Sequence, residues 1–213
     1  MTYSGTARTN TRRIRIRRIR VAGLLVVIAA IAALSYQGPA SSSLTAEPPT
    51  DVLRPEHPGP RGEAAGAVPD GTTVFDDEIP GVAKLDSDLL GALRRAAADA
   101  AGDGVEFVVD SGWRSPEYQE RLLREAVSKY GSEAEAARWV ATPKTSAHVS
   151  GDAVDIGPIA AAAWLSEHGA AYGLCRIYAN EPWHYELRPE AIARGCPPTY
   201  ADPTQDPRMG RHE

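Results

Sequence analysis

Two short stretches hold residues able to do chemistry together. SAHVSGDAVDIG, residues 146–157, sets His148 and Asp155 on either side of a Ser150-Gly151-Asp152 turn, and NEPWHYE, residues 180–186, sets Glu181 three positions before His184. Seven fully extended residues would hold His148 and Asp155 roughly 23 Å apart, beyond the reach of one ion. The turn folds the chain back, placing the imidazole over a strand in which Ala153, Asp155 and Gly157 share one face while Val154 and Ile156 enter the core. A carboxylate on an otherwise apolar strand needs a partner, and a divalent metal meets that need. Pro182 favours an extended, three-residue-per-turn path that brings Glu181 and His184 to one side. Catalytic zinc commonly has three protein ligands, an open position for water and a carboxylate nearby to take a proton. On this reading His148, Asp155 and His184 are the ligands and Glu181 is the base. Taken singly, each histidine reads more readily as a buried, hydrogen-bonded side chain and the aspartate as a turn residue; the fixed offsets in combination favour the metal. Two imidazoles select zinc over calcium or magnesium. Glu186 shares a strand face with His184, either as a partner behind it or as a solvated side chain. Asp152 receives no role.

The elements that position these residues follow from local patterns. LDSDLLGALRRAAADAAGDG has Asp86 or Ser87 as cap, apolar residues at helical spacing and a Gly102-Asp103-Gly104 stop. VEFVVD, 105–110, reads as a strand, and Ser115-Pro116 opens a helix running to about Lys129. A short helix follows over EAEAARWVA, then a strand over DAVDIG, a helix from Pro158 to His168, and a strand pair over YGLCRIYAN and WHYEL. Helices first and strands later make an α+β domain.

Outside that domain the composition changes. The net charge of −5 conceals seven arginines and no acid in residues 1–20. An uncharged apolar run, 21–36, follows directly and reads as a signal anchor or the apolar core of a signal peptide. By the positive-inside rule the arginines stay in the cytoplasm and everything beyond residue 36 is delivered outside; a nucleic-acid-binding arm is the weaker reading of the arginines. Residues 37–70 have the Pro/Gly/Ser composition of a linker, the domain is expected over 71–198, and 199–213 reads as a disordered tail. The two cysteines, Cys175 and Cys196, favour a disulfide in an oxidising compartment over a metal site, since no third soft ligand stands near them.

SGWRSPEYQ at 111–119, SAHVSGDAVDIG and NEPWHYE together, in order and spacing, resemble the VanY-type D-alanyl-D-alanine carboxypeptidases and related D,D-dipeptidases. The resemblance covers roughly residues 72–190. It implies the fold shared with lysostaphin-type enzymes and the hedgehog domain, a small antiparallel sheet carrying the zinc site with helices packed on it. It implies zinc on His148, Asp155 and His184, Glu181 activating water, and Arg114 steadying the oxyanion or orienting substrate. Gln119, Ser146 and Trp113 match positions near the substrate; Gln119 and Ser146 read equally as a helix-surface amide and a turn residue, and Trp113, Trp164 and Trp183 as pocket walls or core. The implied activity is release of the terminal D-alanine from peptidoglycan stem peptides ending in D-Ala-D-Ala, by a monomer in the bacterial cell envelope, secreted or held by residues 21–36. A peptidoglycan endopeptidase and a non-catalytic, zinc-stabilised wall-binding module are the alternatives.

Overall fold

The computed structural model describes residues 60–210. The arginine-rich segment 1–20, the apolar run 21–36 and most of the linker lie outside the described residues, as do His57 and His212. Among the described residues no helix is long and apolar enough to cross a membrane.

The chain order is α1 (Pro60–Ala64), α2 (Pro80–Ala83), α3 (Ser87–Gly102), β1 (Val108–Ser111), α4 (Pro116–Tyr130), α5 (Glu133–Ala136) and α6 (Ala147–Ser150). It continues through β2 (Ala153–Gly157), α7 (Ile159–His168), β3 (Leu174–Arg176), β4 (His184–Leu187) and α8 (Ala191–Arg194). Helix α3 starts at Asp86, whose carboxylate accepts the N–H groups of Asp88 and Leu89 at 3.0 and 3.1 Å. Its buried stripe is Leu89, Ala92, Leu93, Ala96, Ala97 and Ala100. Helix α4 has Ser115 as cap, accepting from the Tyr118 N–H at 3.1 Å, with Pro116 in its first turn.

The four strands form one antiparallel sheet in the order β1-β2-β4-β3. One face, with Val109, Val154, Ile156, Leu174 and Tyr185, packs in a single core with α3 and α7. The Tyr185 hydroxyl ends that face by donating to the Ala162 carbonyl of α7 at 2.6 Å. Because side chains alternate along a strand, the opposite face carries Asp155, His184 and Glu186.

Three boundaries differ from expectation. Strand β1 begins at Val108, not Val105, whose N–H is taken by the Ala100 carbonyl at the end of α3. Helix α5 stops at Ala136 instead of running to residue 141; the Arg138 carbonyl accepts from the Asn180 side chain, and the Trp139 ring stacks on Tyr130 at 5.8 Å. Residues 60–70, read as linker, join the compact domain: Ala67 is buried, and the Ala65 carbonyl accepts the Ser115 N–H at 2.8 Å.

The tail is the larger correction. Residues 199–210 are not disordered; they run beside the chain after β3, with Tyr200 bonded to Ile177 and Ala179 through the backbone. Asp202 and Asp206 of this segment are buried. Asp202 caps the turn at Thr204 and accepts from Arg138 at 3.0 Å, while Asp206 accepts from the Tyr178 hydroxyl at 3.0 Å. Acids with such partners belong inside a fold; composition alone does not reveal the partners.

Cys175 and Cys196 form a disulfide with a Cα–Cα distance of 5.5 Å, tying β3 to the segment after α8. Closing a loop of 21 residues restricts the unfolded chain by about 3 kcal/mol in the chain-entropy treatment. Adding reductant is therefore expected to lower the thermal midpoint; an unchanged midpoint would mean that the bridge contributes nothing.

Candidate metal centre and catalytic site

The sheet register assembles the site. Asp155 of β2 lies opposite Ser111 of β1 on one side and His184 of β4 on the other. His148 arrives from α6, which ends at Gly151 with φ +84°. A Cβ at Gly151 would lie 2.6 Å from the Lys84 carbonyl oxygen, so the turn that returns the chain to Asp155 requires glycine twice over. Gly151→Ala is expected to cost at least about 1–2 kcal/mol for the left-handed conformation alone, with the backbone clash added. Urea denaturation reads the loss; a variant as stable as the parent would contradict this account.

His148, Asp155 and His184 each present one ligand atom, and the three atoms lie within 4.8 Å of one another. All three residues are buried. Each imidazole is oriented from behind. His148 Nδ1 lies 2.8 Å from the Gly112 carbonyl, which can only accept, so Nδ1 carries the hydrogen and Nε2 is left facing Asp155 Oδ1 at 3.5 Å. Gly112 approaches so closely that a Cβ there would fall 1.9 Å from the Gly81 carbonyl oxygen. His184 is held the other way round. Its Nε2 lies 3.3 Å from Glu186 Oε1, and its Nδ1 faces Asp155 Oδ1 at 3.2 Å and Glu181 Oε2 at 3.7 Å.

Burial disfavours a charged His184, yet the carboxylates of Asp155 and Glu186 outweigh it and raise the imidazole to about 9. Burial likewise opposes ionised Asp155, but the neighbouring imidazoles hold its carboxyl well below the usual range.

Glu181 and His184 come together by a different path from the extended one expected. The His184 N–H donates to the Glu181 carbonyl at 3.2 Å, closing a turn with Pro182 at its second position. The outcome is the same: Glu181 faces the site. It is buried, and among the described residues its Oε1 has no hydrogen-bond partner. Burial pushes the carboxyl up to about 7, with the charge of Asp155 adding to the rise and His184 and Arg114 opposing it.

Arg114 lies beside this cluster. Its Nε donates to Ser111 Oγ at 2.8 Å, one terminal nitrogen to Gln119 Oε1 at 3.2 Å and the other to Asp155 Oδ2 at 3.1 Å. Gln119 is almost fully buried, and its amide nitrogen donates to the Ala141 carbonyl at 2.8 Å. Its contacts in this structure hold Arg114 and the 137–145 loop. Trp113 is half-buried under Lys84, whose Nζ sits 3.8 Å from the ring. Ser146 is buried at the start of α6 without capping it, and lines a cavity of about 380 Å³ with Lys144, Asp152 and Arg208. Asp152 accepts from Ser150 at 2.6 Å in an exposed turn. Trp164 packs edge-on against Phe107 and donates to Asp103, with the core helices. Trp183 is exposed next to His184.

Glu186 is the polar residue whose surroundings were least legible. It is 1% exposed, and besides His184 it pairs with Arg188 at 2.6 Å and with both terminal nitrogens of Arg208. Burial opposes its charge, but His184 and Arg208 outweigh burial and lower its pKa. Ser111 and Arg208 were missed as site neighbours. Ser111 carried a signal, standing opposite Asp155 once the two strands pair; Arg208 carried none.

The profile of the VanY family, described as D-alanyl-D-alanine carboxypeptidase, matches residues 82–190. The chain belongs to the VanY family. A D-alanyl-D-alanine carboxypeptidase of Enterococcus faecalis is 36% identical, the match covering 40% of this chain and 41% of the relative. The chain therefore spans about two fifths of that curated relative. Among solved structures, a VanY D,D-pentapeptidase from a VanB-type resistance cassette in complex with Zn(II) shares 32% identity at a TM-score of 0.46, covering 48% of this chain and 72% of that one. VanYB in complex with D-alanine-D-alanine shares 31% identity at a TM-score of 0.48, covering 52% and 74%. The VanY match spans β1, β2 and β4, and so includes His148, Asp155, Glu181 and His184.

Proposed function

We propose that this protein is a zinc D,D-carboxypeptidase that removes the terminal D-alanine from peptidoglycan stem peptides. The observation that carries the reading is the convergence of two oriented imidazoles and a carboxylate beside a buried glutamate with an unpartnered oxygen. The donor set fits zinc: His148 Nε2, His184 Nδ1 and an Asp155 oxygen face one another, and each imidazole has its other nitrogen hydrogen-bonded. A bound zinc ion supplies Lewis-acid polarisation of the scissile carbonyl and of the attacking water.

The side chains do the rest. Glu181, raised towards neutrality by burial, takes the proton from the attacking water and returns it to the leaving D-alanine amine. Arg114, fixed by Ser111 and Gln119, keeps Asp155 in place and offers its remaining N–H groups to the substrate oxygen that gains charge. The disulfide and the arginine-rich, then apolar, N-terminal sequence support action outside the cytoplasmic membrane, in the cell envelope, with residues 21–36 as anchor or cleaved signal.

The test is incubation of the zinc-loaded protein with a pentapeptide stem ending in D-Ala-D-Ala, following free D-alanine by mass spectrometry with and without chelator. Chelator-sensitive release of one D-alanine is expected. Zinc retained with no release would overturn the carboxypeptidase reading in favour of an endopeptidase or a wall-binding module.

A further inference from the structure

We propose that Arg208, near the end of the chain, is a positioning residue for the metal centre: it grips Glu186 so that His184 keeps Nδ1 turned towards the ion. The inference rests on the zinc reading above and adds to it a part of the chain beyond the family match, which ends at residue 190.

The geometry singles out Arg208 over Arg188. Arg188 reaches only Oε2 of Glu186, its other terminal nitrogen being bonded to the Leu187 carbonyl. Arg208 takes both oxygens, one nitrogen on Oε2 at 2.6 Å and the other on Oε1 at 3.1 Å. Oε1 is the oxygen facing His184 Nε2. A guanidinium forked across both oxygens fixes the rotation of the carboxylate, which a single contact from Arg188 does not. Arg208 is itself held, since Asp206 accepts from its Nε at 2.9 Å and the Tyr178 hydroxyl donates to Asp206 at 3.0 Å. The Tyr178 ring closes the arrangement, 5.2 Å from the ring of His184. The last segment thus forms a buttress behind one ligand. With Arg208 gone, Glu186 is free to swing to Arg188, and Nε2 of His184 loses the acceptor that keeps its hydrogen away from Nδ1.

The experiment measures zinc affinity of the full-length chain by competition with a chromogenic chelator, for the parent, Arg208→Ala, Glu186→Ala and the double variant, with thermal midpoints of the metal-free forms alongside. Loss of a partner behind a ligand typically weakens metal binding about 10–100-fold, and that loss is expected for Arg208→Ala. In the Glu186→Ala background the second substitution is expected to add no further loss. An unchanged affinity, or an equal loss in both backgrounds, would overturn the assignment, because Arg208 would then act through the fold at large. Arg208→Lys covers the case in which an alanine variant fails to fold: lysine keeps the charge without the two-point grip, and is expected to weaken zinc binding in a protein of near-parental midpoint. Undiminished affinity in that variant would overturn the positioning role. A parent protein that binds no zinc would refute the metal reading itself, and the role of Arg208 with it.

Discussion

Glu181→Gln is expected to lower kcat by roughly 10²–10⁴-fold, the usual worth of a positioned proton acceptor, while zinc content stays at the parental level. The amide fills the same space but can take no proton from water. It also removes the buried carboxylate whose Oε1 has no partner, so the metal-free protein is not expected to lose stability. The sign of the pH effect follows from the upward shift. A carboxyl raised from 4.5 to about 7 in the fold opposes folding once it must ionise. That opposition is absent below pH 4.5, grows as pH rises, and is complete above pH 7. The metal-free glutamine variant should therefore gain on the metal-free parent across that window, as followed by urea denaturation. Turnover equal to the parent's would remove Glu181 from the mechanism.

Asp155→Ala has the other large effect, and it acts on metal and fold together. The substitution deletes one of the three proposed ligand groups and leaves Arg114 without its carboxylate, at a site where the side chains of the pair are 14% and 12% exposed. Breaking a buried pair by removing one partner costs on the order of 3–5 kcal/mol; the bonds of Arg114 to Ser111 and Gln119 place the expectation at about 3 kcal/mol. Zinc binding is expected to disappear at micromolar metal. Asp155→Asn separates the two effects, preserving shape while removing the charge. Full zinc affinity in both variants would exclude Asp155 as a ligand.

How far the sequence foretold this depended on the reach of each signal. Asp86 as a cap, Ser115-Pro116 as a helix start and the alternation of Val154 and Ile156 with Asp155 are written within a few residues, and the structure follows them. The cluster of His148, Asp155, Glu181 and His184 was legible because each half, His148 with Asp155 and Glu181 with His184, falls within one short stretch. The turn at Pro182 was misjudged because proline suits both an extended path and the second position of a turn, and the hydrogen bond that decides between them is not a property of the residue. The tail was misread for a further reason. Arg208 meets Glu186 across 22 positions and Tyr200 aligns with Tyr178 across the same interval, so a polar string became folded structure through partners that no local window contains.

The pairing of Asp155 with Ser111 on one side and His184 on the other has a practical corollary. A slip of β2 by a single residue would turn Asp155 into the apolar core and present Val154 or Ile156 to the two imidazoles. The same slip that ruins the packing would therefore empty the proposed ion site, and a molecule so misaligned would lose the full donor set. Zinc stoichiometry then serves as a gauge of strand alignment: the fraction of molecules holding one ion counts those whose central strands have zipped correctly, including in preparations that never see a substrate.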